Sequence, residues 1–128
     1  MKATSANFRT ACRQLWGEAQ TQKTLAPGVI AFDTAGHGGI IVDPEAFPLN
    51  PKLANGLWSK PIQWTFTSTG EVAVSLVPFE EDADIIALLY HHPELIEPAV
   101  RKHYIGEGFG PDYWAERVAQ DDYYAPIR

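Results

Sequence analysis

The sequence predicts one α+β domain over residues 1–128, with an antiparallel sheet of about four strands packed by an N-terminal helix and about three C-terminal helices. Apolar residues recur at helical spacing near the start of the chain. Two pairs of short strand-like segments follow, each pair joined by a turn that contains glycine, and helical spacing returns after residue 79. From this order we expect the helices to cover mainly one face of the sheet.

The first helix is predicted over residues 5–20, because its apolar residues fall on one helical face. These residues are Phe8, Ala11, Cys12, Leu15 and Trp16. Ser5 or Asn7 can cap its beginning, and Gly17 is a plausible end.

Two hairpins form the predicted sheet. The segments GVIAFD (28–33) and GIIVD (39–43) are apolar and β-branched, and a glycine-rich connection separates them. Residues 44–60 contain three prolines and are predicted as a loop or one short helical turn. Residues 62–67 and 71–77 alternate apolar and polar side chains, which predicts a second, half-buried hairpin.

Three helices are predicted after the sheet. The first begins at the acidic residues 80–82 and ends near His92, because Pro93 follows. The second extends from Glu94 to about Tyr104. The third begins at residue 111 or 112 and ends near residue 120, after which the chain is expected to trail off without structure.

Composition and charge exclude several classes of protein. The 128 residues carry a net charge of −6 and a single cysteine, Cys12, so an intrachain disulfide and a multi-cysteine zinc site are excluded. Residues 1–79 hold six basic and five acidic residues, whereas residues 80–128 hold four and eleven, a net charge of −7. Direct nucleic-acid binding is therefore not expected. No segment has the length and apolarity of a membrane span or an export signal, and we expect a cytoplasmic protein.

The glycine-rich connection between the first two strands is the most unusual segment. It contains Gly36, His37, Gly38 and Gly39. The glycines favour a tight structural turn. Alternatively, His37 is a general base oriented by Asp33. A phosphate-binding loop is excluded because a strand follows and no Lys-Ser/Thr pair is present.

The acidic segment Glu80, Glu81, Asp82 and Asp84 can stabilise a helix N-terminus, or it can hold a divalent cation. Its spacing matches no calcium loop. His91 and His92 are expected to interact with the C-terminal end of the same helix, because adjacent helical residues point about 100° apart and cannot easily share one metal. We therefore expect no metal and no cofactor.

Large aromatic residues supply most of the core, but three of them lie near loops or the chain end. Trp58, Tyr123 and Tyr124 are the candidates for contact with a partner. Nucleophilic catalysis is not supported, because no Gly-x-Ser-x-Gly segment is present and Cys12 lies on the apolar face of the first helix.

Three segments together carry a resemblance to a known family. They are Trp16-Gly17, the run Thr34-Ala35-Gly36-His37-Gly38-Gly39, and Phe79-Glu80-Glu81-Asp82. In this order they resemble a family of uncharacterised bacterial domains carried mainly by plasmids and other mobile elements. The resemblance covers about residues 14–105 and implies no activity. The family often has cysteine after the acidic motif, where this chain has Ala83.

The leading hypothesis is a non-enzymatic protein-binding module of a bacterial mobile element. It would act as an anti-defence inhibitor, of the anti-CRISPR or anti-restriction type, by blocking a basic nucleic-acid-binding host protein, with an acidic face that mimics DNA. The residues expected on that face are Glu80, Glu81, Asp82, Asp84, Glu94 and Glu97. One alternative is a small metal-dependent hydrolase or nuclease that uses His37 and the carboxylates of residues 80–84. Another is an assembly module that binds through its exposed aromatic residues.

Overall fold

The structure is a computed structural model and describes residues 2–57, 59–65, 68–81, 83–95 and 111–128.

The first helix has a well-defined beginning and end. Helix α1, Ser5–Leu15, is capped by Thr4, whose side chain accepts a hydrogen bond from the Asn7 N–H while the Asn7 side chain accepts one from the Thr4 N–H. This capping box satisfies two otherwise unpaired donors, so the cap lies one residue before the predicted Ser5. Gly17, at φ +107°, follows the end of the helix.

The sheet has five strands rather than about four. In chain order they are β1 Thr21–Ala26, β2 Val29–Asp33, β3 Gly38–Val42, β4 Ile62–Thr65 and β5 Val72–Glu80. Their spatial order is β1-β2-β3-β5-β4, and all four pairings are antiparallel. Both predicted hairpins are confirmed, and β1 is an additional edge strand that pairs with β2.

Helices pack on both faces of the sheet, one on the first face and the others on the opposite face, whereas the sequence predicts helices mainly on one face. Helix α1 packs on the face that carries Ile41 and Leu76. Helix α2, Asp84–His91, and helix α3, Pro111–Gln120, pack on the face that carries Ile40 and Val77. Because neighbouring strand residues point to opposite faces, the central strands β3 and β5 contribute to both cores.

The junction between the sheet and α2 differs from the prediction. Strand β5 continues through Glu80, which pairs with Gly39, and α2 begins only at Asp84. The acidic residues Glu80 and Glu81 therefore lie at the end of a strand and not in a helical turn. The α+β architecture itself is confirmed.

The chain end is packed and does not trail off. Residues Asp122–Ile127 form a 3-10 helix in which Tyr124 and Ile127 are buried. The predicted helix from Glu94 to about Tyr104 falls mostly outside the described residues, and the part described, Pro93–Leu95, is a 3-10 turn. In the described ranges no helix has the length and apolarity needed to cross a membrane.

The connection between β3 and β4 contains the predicted short helical turn, the 3-10 helix Pro51–Leu53. The Asn50 side chain caps it by accepting a hydrogen bond from the Lys52 N–H at 3.0 Å, and Leu53 is buried. The Asn50 N–H donates to His92 Nε2 at 3.0 Å, so this loop is attached to the end of α2.

Candidate functional site

The turn between β2 and β3 is held by one threonine. The Thr34 N–H donates to the His37 carbonyl oxygen at 2.9 Å, and the His37 N–H donates to the Thr34 hydroxyl at 3.0 Å. The hydroxyl oxygen lies 2.5 Å from the His37 carbonyl oxygen and 3.2 Å from the Trp16 carbonyl oxygen. Thr34 thus joins the tight turn to the end of α1.

The Trp16 ring lies over Gly39. A Cβ on Gly39 would lie 2.7 Å from Trp16 Cη2 and 2.9 Å from Cζ2, distances that real Cβ contacts essentially never show. The missing side chain of Gly39 therefore makes room for the indole. The sequence predicts that most tryptophans lie in the core, and it contains no sign that Trp16 contacts a glycine of another segment.

The acidic end of β5 closes around the same turn. The Glu81 N–H donates to the Gly38 carbonyl oxygen at 3.0 Å. A Cβ on Gly38 would lie 3.1 Å from Glu81 Oε2 and 3.4 Å from Asp33 Oδ1, so both carboxylates approach Gly38 closely. Together with the Trp16 contacts, this brings the three segments that carry the family resemblance to one end of the sheet.

An open cleft of about 230 Å³ lies at this end of the sheet. We call it the Trp16 cleft, and its lining residues are Leu15, Trp16, His37, Ser59 and Glu80. His37 Nδ1 lies 3.8 Å from Glu80 Oε1; the His37 side chain is 58% exposed, whereas that of Glu80 is 20% exposed. The pair is ionic only when the imidazole is protonated, and its separation exceeds a hydrogen bond.

The carboxylate beside the imidazole is Glu80, whereas the sequence predicts Asp33 in that role. Asp33 Oδ2 accepts a hydrogen bond from the Thr21 hydroxyl at 2.9 Å. Strand β1, which the sequence analysis did not predict, thus supplies a neighbour for this carboxylate.

Asp84 does not belong to an acidic surface, which corrects its predicted placement. It is buried, and its carboxylate accepts a hydrogen bond from the Tyr123 hydroxyl and lies 3.5 Å from the Glu80 N–H. Among the described residues, no group of three or more histidine, cysteine, aspartate or glutamate side chains could hold a metal ion. A metal site built on His37 and Asp84 is therefore not present in the described part of the chain.

Tyr124 is not available to a partner, contrary to its predicted role. It is buried, its hydroxyl donates to the Ala83 carbonyl oxygen at 2.8 Å, and burial raises its pKa to about 12. Tyr123 is half-buried.

The remaining predicted residues are dispersed or outside the described ranges. Glu94 is exposed, with Oε1 lying 3.5 Å from His92 Nδ1. Trp58, Asp82 and Glu97 lie outside the described residues.

Comparison with known proteins identifies a family whose function is not known. No curated protein and no solved structure matches the chain significantly. Residues 9–123 match the model of DUF7007, a domain of unknown function, and this agrees with the resemblance to an uncharacterised domain family. Because the match covers most of the chain and includes all three converging segments, the chain belongs to the DUF7007 family.

Proposed function

We propose that the chain is a protein-binding module that holds a cationic side chain of its partner in the Trp16 cleft. The observation that carries the proposal is that an indole and a carboxylate, those of Trp16 and Glu80, line the same open cleft. An aromatic face attracts a guanidinium or ammonium group by about 0.5–2 kcal/mol, and a carboxylate adds a charge-assisted hydrogen bond. Among the described residues that line the cleft, none is a lysine or an arginine.

The charge around the cleft favours a basic partner. Glu81 and Asp33 lie next to Gly38, directly beside the His37 turn, so further carboxylates surround the site. Basic segments are typical of proteins that bind nucleic acids. The specific form of the proposal is an inhibitor, carried by a bacterial mobile element, that occupies such a segment of a host defence protein in the cytoplasm.

The cation site can be tested without knowing the partner. N-acetyl-arginine methylamide is titrated into the protein at millimolar concentration while NMR follows the indole N–H signals, and the neutral isostere N-acetyl-citrulline methylamide serves as the matched ligand. We expect the arginine probe alone to shift the Trp16 signal. Glu80→Gln should weaken this response at least tenfold, because it removes the charge-assisted bond, whereas the exposed control Glu71→Gln should leave it unchanged. Equal responses of the wild-type protein to the arginine and citrulline probes would exclude a cation site. Equal responses of Glu80→Gln and Glu71→Gln to the arginine probe would exclude it as well.

The same variants identify the partner. Tagged wild-type protein and both glutamine variants are used to capture proteins from a bacterial host with defence systems, at low and at moderate salt. A basic nucleic-acid-binding protein that the wild type and Glu71→Gln retain, and that Glu80→Gln loses, supports the proposal. Retention by all three proteins places the interface elsewhere.

A second candidate function is acid–base hydrolysis, and the position of Glu80 beside the His37 imidazole favours it. In this case His37 takes a proton from water and Glu80 stabilises the imidazolium. His37→Gln distinguishes the two functions. Hydrolysis of ester or phosphodiester substrates should be lost in this variant, whereas cation binding should persist because the change adds no positive charge.

A further inference from the structure

A second cleft, of about 420 Å³, lies between the 3-10 helix Pro51–Leu53 with its following turn and the 3-10 helix Asp122–Ile127. We call it the lysine cleft, and the lining residues that matter here are Lys52, Asn55, Lys60 and Tyr123. None of its lining residues in the described chain is acidic, although the whole chain carries a net charge of −6. Its volume lies in the range of small-molecule sites.

The two walls of the lysine cleft are connected through histidines at the end of α2. His91 Nε2 lies 2.9 Å from the Ile127 carbonyl oxygen, so it carries the proton and donates to the C-terminal wall. His91 Nδ1 lies 3.2 Å from Asn50 Nδ2 and accepts, because the Asn50 Oδ1 is already the acceptor for the Lys52 N–H. The Asn50 N–H donates to His92 Nε2. Both walls are thus bonded to α2, which preorganises the space between them.

The aromatic wall is also fixed. The Tyr123 hydroxyl donates to the buried Asp84 carboxylate, and the Tyr123 N–H donates to Asp121 Oδ1 at 3.0 Å. The Tyr123 ring meets the buried Tyr124 ring edge-on at a centroid distance of 5.0 Å. With its hydroxyl engaged in the interior, the ring offers the cleft a planar apolar surface for stacking.

The lysines provide the charged end. Lys52 Nζ donates one hydrogen bond to the Arg128 carbonyl oxygen at 2.6 Å, which leaves two of its three N–H groups for a ligand. Lys60 also lines the cleft; it is exposed and makes no hydrogen bond or ion pair within the described residues. Two ammonium groups suit a phosphate dianion, which lysine binds as a point charge.

We propose that the lysine cleft binds a small phosphorylated molecule with a planar ring, of the mononucleotide class. The phosphate lies between the ammonium groups of Lys52 and Lys60, and the ring stacks on Tyr123. A small ligand is favoured over a nucleic acid because the net negative charge of the chain repels a polyanion. This proposal does not depend on the Trp16 cleft.

The test uses NMR titrations of the full chain with AMP, adenosine, inorganic phosphate and a single-stranded oligonucleotide. We expect AMP to bind with a dissociation constant in the millimolar range or below. It should bind more tightly than adenosine or inorganic phosphate, because only AMP contacts both the lysines and the Tyr123 ring. Lys60→Gln should weaken AMP binding about tenfold, whereas Lys23→Gln, an exposed lysine on β1, should not.

Several results would overturn the proposal. They are the absence of AMP-dependent shifts, equal affinity in Lys60→Gln and Lys23→Gln, equal affinity for AMP and inorganic phosphate, and tighter binding of the oligonucleotide than of AMP. The Glu80→Gln variant separates this proposal from the protein-binding function, since it should bind AMP normally while losing the response to the arginine probe.

Discussion

Replacing Gly39 with alanine tests whether the sheet and the Trp16 ring leave room for a side chain at this position. Gly39 lies in the middle strand and pairs with Phe32 on β2 and with Glu80 on β5. An added Cβ would meet the Phe79 carbonyl oxygen and would lie 2.7 Å from Trp16 Cη2. The strand cannot move away easily, because both of its edges are paired.

The expected cost follows from this crowding. Inserting one carbon into a well-packed region costs about 1–3 kcal/mol, and we expect about 3 kcal/mol because one of the opposing atoms belongs to the backbone. An unfolding entropy of about 2.1 cal/mol/K per residue gives roughly 0.27 kcal/mol/K for 128 residues. The melting temperature should therefore fall by about 10 °C.

Thermal unfolding followed by circular dichroism measures this shift. Gly36→Ala is the matched control in the same turn, because nothing lies within 4 Å of a Cβ at that position. Its stability should stay the same or rise by at most about 1 kcal/mol. Equal melting temperatures for the two variants would refute the argument that the missing side chain of Gly39 accommodates the indole of Trp16.

Three further predictions concern other parts of the fold. Burial raises the pKa of Tyr124 to about 12, so the unfolded chain loses this proton first, near pH 10. This group alone should therefore lower the free energy of unfolding by about 1 kcal/mol between pH 9 and pH 11. Urea unfolding of Tyr124→Phe should lack this alkaline loss; a loss equal to that of the wild type would contradict it. Burial raises the pKa of Cys12 to about 11. A disulfide reagent at pH 8 should therefore react with this thiol only after urea unfolds the chain. Rapid reaction of the native protein would be inconsistent with this packing. Thr4→Ala should lower the free energy of unfolding by about 1 kcal/mol, because it removes the helix cap. Ser5→Ala is the control variant, and an equal effect of both changes in urea unfolding would argue against the capping box.

The elements with regular apolar spacing could be predicted from the sequence, and the element without it could not. Helix α1 and both hairpins follow their hydrophobic period. Strand β1 was missed because its first four residues, Thr21–Thr24, are exposed and polar, so no buried face marks it as a strand. In the structure it pairs with β2 and forms one edge of the sheet.

The sequence of β3 itself indicates that both faces of the sheet are covered. All five residues of β3, Gly38–Val42, are buried, and a continuous run of apolar residues without alternation is typical of a strand covered on both sides. The hairpin prediction for this segment does not take that run into account. Neighbouring residues Ile40 and Ile41 in fact belong to two separate cores.

The residues of the candidate site were mostly identified, but their arrangement was not. His37 and Glu80 were singled out separately, and they meet because β3 pairs with β5 rather than with the next strand in the chain. The sequence gives no direct sign of that crossover. Trp16 belongs to the first segment of the resemblance, yet its place over Gly39 depends on how α1 packs on the sheet.

The structure also changes what the acidity of residues 80–128 can mean. A surface that mimics DNA needs carboxylates that remain exposed and unneutralised. Asp84 is buried, Asp121 Oδ2 lies 3.3 Å from Arg117 Nη2, and Asp122 Oδ1 lies 3.8 Å from Arg128 Nη2. Burial removes Asp84 from any such surface, and Asp121 and Asp122 each lie beside an arginine, so these acidic residues do not form one continuous anionic face. Recognition through one cationic side chain at the Trp16 cleft requires only local carboxylates, so salt should weaken the proposed complex far less steeply than it weakens a complex with a true DNA mimic.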